Sequence, residues 1–75
     1  MWLNAEKHGD MITVNGKQVE SREGETLLEL LEEQGFRLAV IAVECNGVIL
    51  RREAYGETLL HAGDKIEVVS FVGGG

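Results

Sequence analysis

Three glycines close the sequence, Gly73-Gly74-Gly75, directly after the apolar run Ile66-Glu67-Val68-Val69-Ser70-Phe71-Val72. Glycine explores far more backbone space than any other residue. A tail without side chains threads a passage too narrow for a Cβ and offers its carboxylate to another protein's active site. The plain structural alternative is a frayed end, since disorder collects at termini. Other reactive side chains are few. Cys45 stands between Glu44 and Asn46, with no base or cation in sequence to lower its pKa, and is read as packing. His8, His61 and Cys45 lack the spacing of a zinc site. Glu57, Asp64 and Glu67 form no carboxylate pair that acid–base chemistry would need. No catalytic residue, resident cofactor or metal site is therefore expected.

Composition narrows the partners. The chain has 75 residues, of which 44% are hydrophobic, and a formal net charge of −6. That predicts one small globular unit with a modest core. The acidic balance argues against nucleic acid and against an anionic membrane surface, both of which need clustered Lys and Arg. It favours protein partners with basic surfaces, where charge steers encounter more than it sets affinity. One cysteine excludes an internal disulfide and suits a reducing compartment. No apolar run approaches a membrane span, so a cytoplasmic protein is expected.

The elements that must position the tail are legible in part. Met11 to Val14 reads as a short strand, and Asn15-Gly16 as a hairpin turn because both positions favour positive φ. Lys17 to Ser21 returns beside it with Val19 inward. Thr26 is placed to cap a helix over Leu27 to Gln34, with Glu29 completing a capping box. Leu27, Leu28, Leu30 and Leu31 form its apolar stripe, Glu29, Glu32 and Glu33 its wet side, and Gly35 a left-handed cap. Leu38 to Glu44 is a nearly continuous apolar run that predicts a covered strand. Asn46-Gly47 turns it into Val48-Ile49-Leu50. Arg51 to Ala62 is polar and irregular, with Arg51-Arg52 a solvated pair and Leu59-Leu60 a short apolar step. Ala62-Gly63-Asp64 turns into the final strand.

The order β-β-α-β-β-β predicts an α+β fold, a mixed sheet of about five strands with one helix across one face, and the first and last strands parallel neighbours. Alternation in the last strand sends Ile66 and Val68 toward the helix and leaves Val69 and Phe71 near the open face. Val69, Phe71 and Val72 are thus candidates for a partner-docking patch beside the tail. The division expected is residues 1–10 as an N-terminal extension without order, 11–72 as the folded domain and 73–75 as a flexible glycine tail.

From Met11 to Gly75 the chain resembles the ubiquitin-like β-grasp sulfur carriers (the ThiS/MoaD superfamily), most of all the carriers of thiamine thiazole synthesis. The resemblance rests on Ile12-Thr13-Val14-Asn15-Gly16, Thr26-Leu27-Leu28-Glu29-Leu30-Leu31, Asn46-Gly47-Val48-Ile49, Arg52-Glu53 followed by Tyr55, Gly63-Asp64-Lys65-Ile66, and the diglycine end. Arg51 stands where relatives often have proline. The resemblance implies a protein substrate, not an enzyme. Its Gly75 carboxylate would be adenylated with ATP by an E1-like adenylyltransferase of the ThiF type, while Gly73 and Gly74 supply reach. A sulfurtransferase or cysteine desulfurase would supply the sulfur, and the resulting thiocarboxylate would feed a thiazole synthase of the ThiG type. Two related readings stay open, the small carrier of molybdopterin synthase and a ubiquitin-like protein modifier. A β-grasp binding module with an idle tail is the third.

Overall fold

Two Asn-Gly turns set the sheet. The computed structural model describes residues 10–71. Asn15 and Asn46 hold φ of 53° and 54°, and the glycines after them 81° and 86°, the double left-handed geometry that joins tightly twisted hairpins. The first turn links β1 (Met11–Val14) to β2 (Lys17–Glu20), and the second links β3 (Ile41–Cys45) to β4 (Val48–Leu50). The last strand, β5 (Lys65–Ser70), enters the middle, giving the order β2-β1-β5-β3-β4. It runs parallel to β1 and antiparallel to β3, the mixed five-stranded sheet that the element order predicts.

One helix, α1 (Leu27–Glu33), lies on one face. Its start follows from local chemistry: Thr26 Oγ1 accepts the N–H of Glu29 at 3.2 Å, and Glu29 Oε1 accepts the N–H of Thr26 at 3.0 Å. Its end is a Schellman turn, because Phe36 N–H reaches Leu31 C=O and Gly35 N–H reaches Glu32 C=O, with Gly35 at φ 84°. Leu27, Leu30 and Leu31 are buried against Ile12, Val14, Ile41, Val43, Ile66 and Val68 from the sheet.

Two segments differ from expectation. The run from Leu38 does not extend directly into the sheet: Leu38–Val40 is a 3₁₀ turn closed by Val40 N–H on Arg37 C=O, and the strand begins at Ile41. Leu38 and Val40 pack partly buried against the core from that turn, so apolar continuity reflects burial and not extension. The segment after β4, read as irregular, holds a 3₁₀ helix over Arg52–Glu57. It carries Tyr55 into the core, and Leu60 follows it there. Leu59 then bridges to Thr26 and Leu60 N–H bonds to Glu25 C=O, tying this segment to the start of the helix.

Candidate functional site: the open sheet face and the exit of β5

Along β5 the pleat separates two environments. Ile66 and Val68 point into the core at 0% and 8% exposure, whereas Val69 and Phe71 each remain 61% exposed. The alternation read from sequence therefore places both of those candidates on the face away from the helix. Val72 and the glycines Gly73, Gly74 and Gly75 lie outside the described residues, as do residues 1–9, which include His8.

Register defines what surrounds Val69. Ala42 of β3 stands opposite it, and two residues along each strand Glu44 stands opposite Glu67. Glu44 in turn faces Ile49 of β4, which is 71% exposed. The open face thus reads as an apolar band of Phe71, Val69 and Ala42 beside a row of Ile49, Glu44 and Glu67. At the end of β5 the N–H of Phe71 donates to Val40 C=O at 2.9 Å, so the strand is held up to the point where it leaves the sheet.

The scaffold under this exit is braced by side chains of the two turns. Asn15 N–H bonds to Ile66 C=O, and Asn15 Oδ1 accepts Val68 N–H. Asn46 Nδ2 donates to Asp64 Oδ1 at 3.0 Å, while Asn46 Oδ1 accepts Lys65 N–H at 2.9 Å. Asp64 Oδ2 also accepts His61 N–H at 2.7 Å, which gives that carboxylate a structural role.

The remaining reactive candidates go to structure. Cys45 is half-buried at the end of β3, and burial followed by the Asp64 charge pushes its thiol pKa up, the opposite of an activated nucleophile. Among the described residues no three His, Cys, Asp or Glu side chains group to hold a metal. Arg51 and Arg52 are exposed.

Sequence reasoning missed Glu25. It is 2% exposed, its Oε1 accepts Arg22 N–H at 2.8 Å, and its Oε2 has no hydrogen-bond partner. Burial pushes its pKa up. Arg22 also pairs with Glu33, and that bond holds Glu33 low. A glutamate in a polar loop gives no signal of burial, because the fold and not its neighbours in sequence covers it.

The comparisons with known proteins agree with this architecture. The family model described as ThiS family matches residues 8–75. The sulfur carrier protein ThiS of Bacillus subtilis is 38% identical over 66 residues, covering 87% of this chain and all of that protein. A thiazole synthase of Magnetococcus marinus is 42% identical over 64 residues, and there the match spans 85% of this chain but 20% of the relative's length. The crystal structure of the thiamine biosynthesis protein (ThiS) of Geobacter metallireducens superposes with a TM-score of 0.71 at 38% identity, over 87% of this chain and 99% of that one.

Proposed function

We propose that this chain, which belongs to the ThiS family of sulfur carriers of thiamine biosynthesis, carries its sulfur on the carboxyl carbon of Gly75. The Gly75 carboxylate attacks the α-phosphorus of ATP in an E1-like adenylyltransferase of the ThiF type, and pyrophosphate leaves. The acyl adenylate is needed because a carboxylate resists a sulfur nucleophile until one oxygen becomes part of a good leaving group. The terminal sulfur of a persulfide on a sulfurtransferase or cysteine desulfurase then attacks the carbonyl carbon and displaces AMP. A thiol cleaves the resulting acyl disulfide, itself ending in a disulfide. The product is a thiocarboxylate. Gly73 and Gly74 give the reach and slim profile that such an active site demands. The chain acts as a cytoplasmic protein substrate, with ATP bound by its partner and no cofactor of its own.

The observation that carries this reading is the match to the Bacillus subtilis carrier over that protein's full length. Val69 and Phe71 support it, since an exposed apolar patch beside the exit of β5 suits a partner that must also receive the tail. Val72 completes that docking segment in the proposal. Thiazole synthase is the proposed acceptor of the sulfur. Two thiazole synthases carry a stretch similar to this chain, although the chain spans only 20% of each.

Intact mass spectrometry tests the reading. After incubation with ATP, a sulfur source and the cognate adenylyltransferase, the chain should gain the mass of one oxygen exchanged for one sulfur, confined to the C-terminal peptide. No change of mass would refute it. Conjugates of higher mass on a denaturing gel would point to a protein modifier instead.

A further inference from the structure

A single guanidinium gathers two carboxylates beside α1. Arg22 Nη1 pairs with Glu33 Oε2 at the end of the helix, and Arg22 Nη2 stands 3.7 Å from Glu25 Oε2, too far for a hydrogen bond. The Glu25 side chain is fully covered, whereas those of Glu33 and Arg22 are 42% and 62% exposed. Glu25 Oε1 is satisfied by the Arg22 N–H, but Oε2 is buried and receives no donor from a described residue. The side chains of Glu25 and Glu33 nevertheless meet as hydrogen-bond partners. Two ionised carboxylates only accept, so that contact needs a proton.

We propose that the folded chain holds one proton between Glu25 Oε2 and the Glu33 carboxylate under Arg22, a latch that ties the turn of residues 22–25 to the end of α1 and opens when the proton leaves. Charge balance supports it. With the proton present, one negative charge faces one guanidinium; without it, two face one, and one of the two is buried. Glu25, the covered member, carries the proton. Burial holds its carboxyl above the usual range, while the bond from Arg22 holds Glu33 below it. Opposite displacements of two touching carboxyls are what a shared proton produces. The charges that bear on Glu25 are those of Glu33 and Arg22, and Arg22 feels Glu29 besides. The third segment packed here, residues 58–60, brings no charge and meets the turn through backbone: Glu25 C=O accepts the Leu60 N–H, and Thr26 bridges to Leu59. Loss of the proton therefore loosens this junction as well. The latch is complete between the lowered value of Glu33 and the raised value of Glu25. It opens as pH rises above that window, and below it Arg22 loses its anion.

Carbon-13 NMR of the glutamate side-chain carboxyls, titrated in the full chain, tests this. In the parent each of the two resonances should report both steps, with Glu25 titrating above the ordinary range and Glu33 below it. Glu33→Gln offers an N–H to Glu25 Oε2, so the Glu25 midpoint should fall toward the ordinary range although its cover is unchanged. Burial alone would leave that midpoint raised in the variant, and such a result would overturn the proposal. So would independent single-step curves at Glu25 and Glu33 in the parent, a reading that needs no variant to fold. Glu32→Gln removes a charge from the neighbouring exposed position and should leave both midpoints where they are. A fall equal to that in Glu33→Gln would reduce the effect to net charge and refute the pair. Amide exchange reads the latch itself. Protection of the Leu60 N–H, taken relative to its intrinsic rate, should drop as pH rises through the Glu25 midpoint in the parent and stay level in Glu25→Gln. Equal profiles in the two would overturn the latch.

Discussion

Asn15 Oδ1 accepts the backbone N–H of Val68 at 2.7 Å, joining residues 53 positions apart in the chain. The same asparagine occupies the left-handed corner of the first hairpin and gives its own N–H to Ile66. It therefore turns β1 into β2 and extends the parallel β1–β5 ladder by one bond. That ladder carries the strand that leads to the tail.

Asn15→Ala is expected to cost about 2 kcal/mol, roughly half from the lost hydrogen bond and half from a Cβ residue without a local acceptor at positive φ. Asn15→Asp keeps an acceptor and tolerates the left-handed region, so its loss should be smaller. Urea unfolding of both variants decides the matter. An aspartate variant as damaged as the alanine one would show that the acceptor is not what holds Val68.

Glu25 makes stability depend on pH in a predictable direction. Burial holds its carboxyl above the usual range, so the protonated form suits the fold. Its contribution is complete below the ordinary carboxylate pKa and is lost as pH rises through the raised value. Glu33, held low by its bond to Arg22, contributes above the ordinary range and loses that contribution as pH falls through its lowered value. Glu25→Gln keeps an acceptor for Arg22 N–H and cannot ionise. It should stabilise the domain by roughly 1 kcal/mol at neutral pH, with the gain fading toward about pH 4. Thermal melts across that range check the sign.

Tyr55 should prove a core residue despite its polar surroundings in sequence. It is 2% exposed and packs with the helix-covered cluster. Tyr55→Ala is expected to cost about 3–5 kcal/mol, a large part of the stability of a domain this small. Tyr55→Phe retains the ring and should lose far less. Urea midpoints of the two variants separate ring packing from the hydroxyl.

Phe71→Glu should leave the fold intact, with a stability change within about 0.5 kcal/mol, because the side chain is largely in water. The same substitution should weaken binding to the adenylyltransferase. Circular dichroism and a binding titration on one sample give both readings. An unfolded variant would place Phe71 in the core.

Features that depend on a few adjacent residues are legible in the amino-acid sequence by itself. The Asn-Gly turns, the Thr26–Glu29 capping box, the Gly35 cap and the leucine stripe each close their own hydrogen bonds or bury their own face within a few positions of sequence. The alternation from Ile66 to Phe71 belongs with them, since a pleat sends neighbouring side chains to opposite faces wherever the strand lies. The β-β-α-β-β-β order follows from counting such elements, whereas the family resemblance rests on particular motifs and the diglycine end.

Tertiary structure alone decided what depends on register and on distant cover. Leu38 and Val40 are apolar whether they extend or turn, and packing against the core chose the turn. Tyr55 and Glu25 are buried by segments far from them in sequence, which no local pattern reports. Glu44 and Glu67 became a pair because β3 and β5 align at one register out of several. A slip of a single residue would send one of them to the opposite face, so their meeting is a property of the assembled sheet.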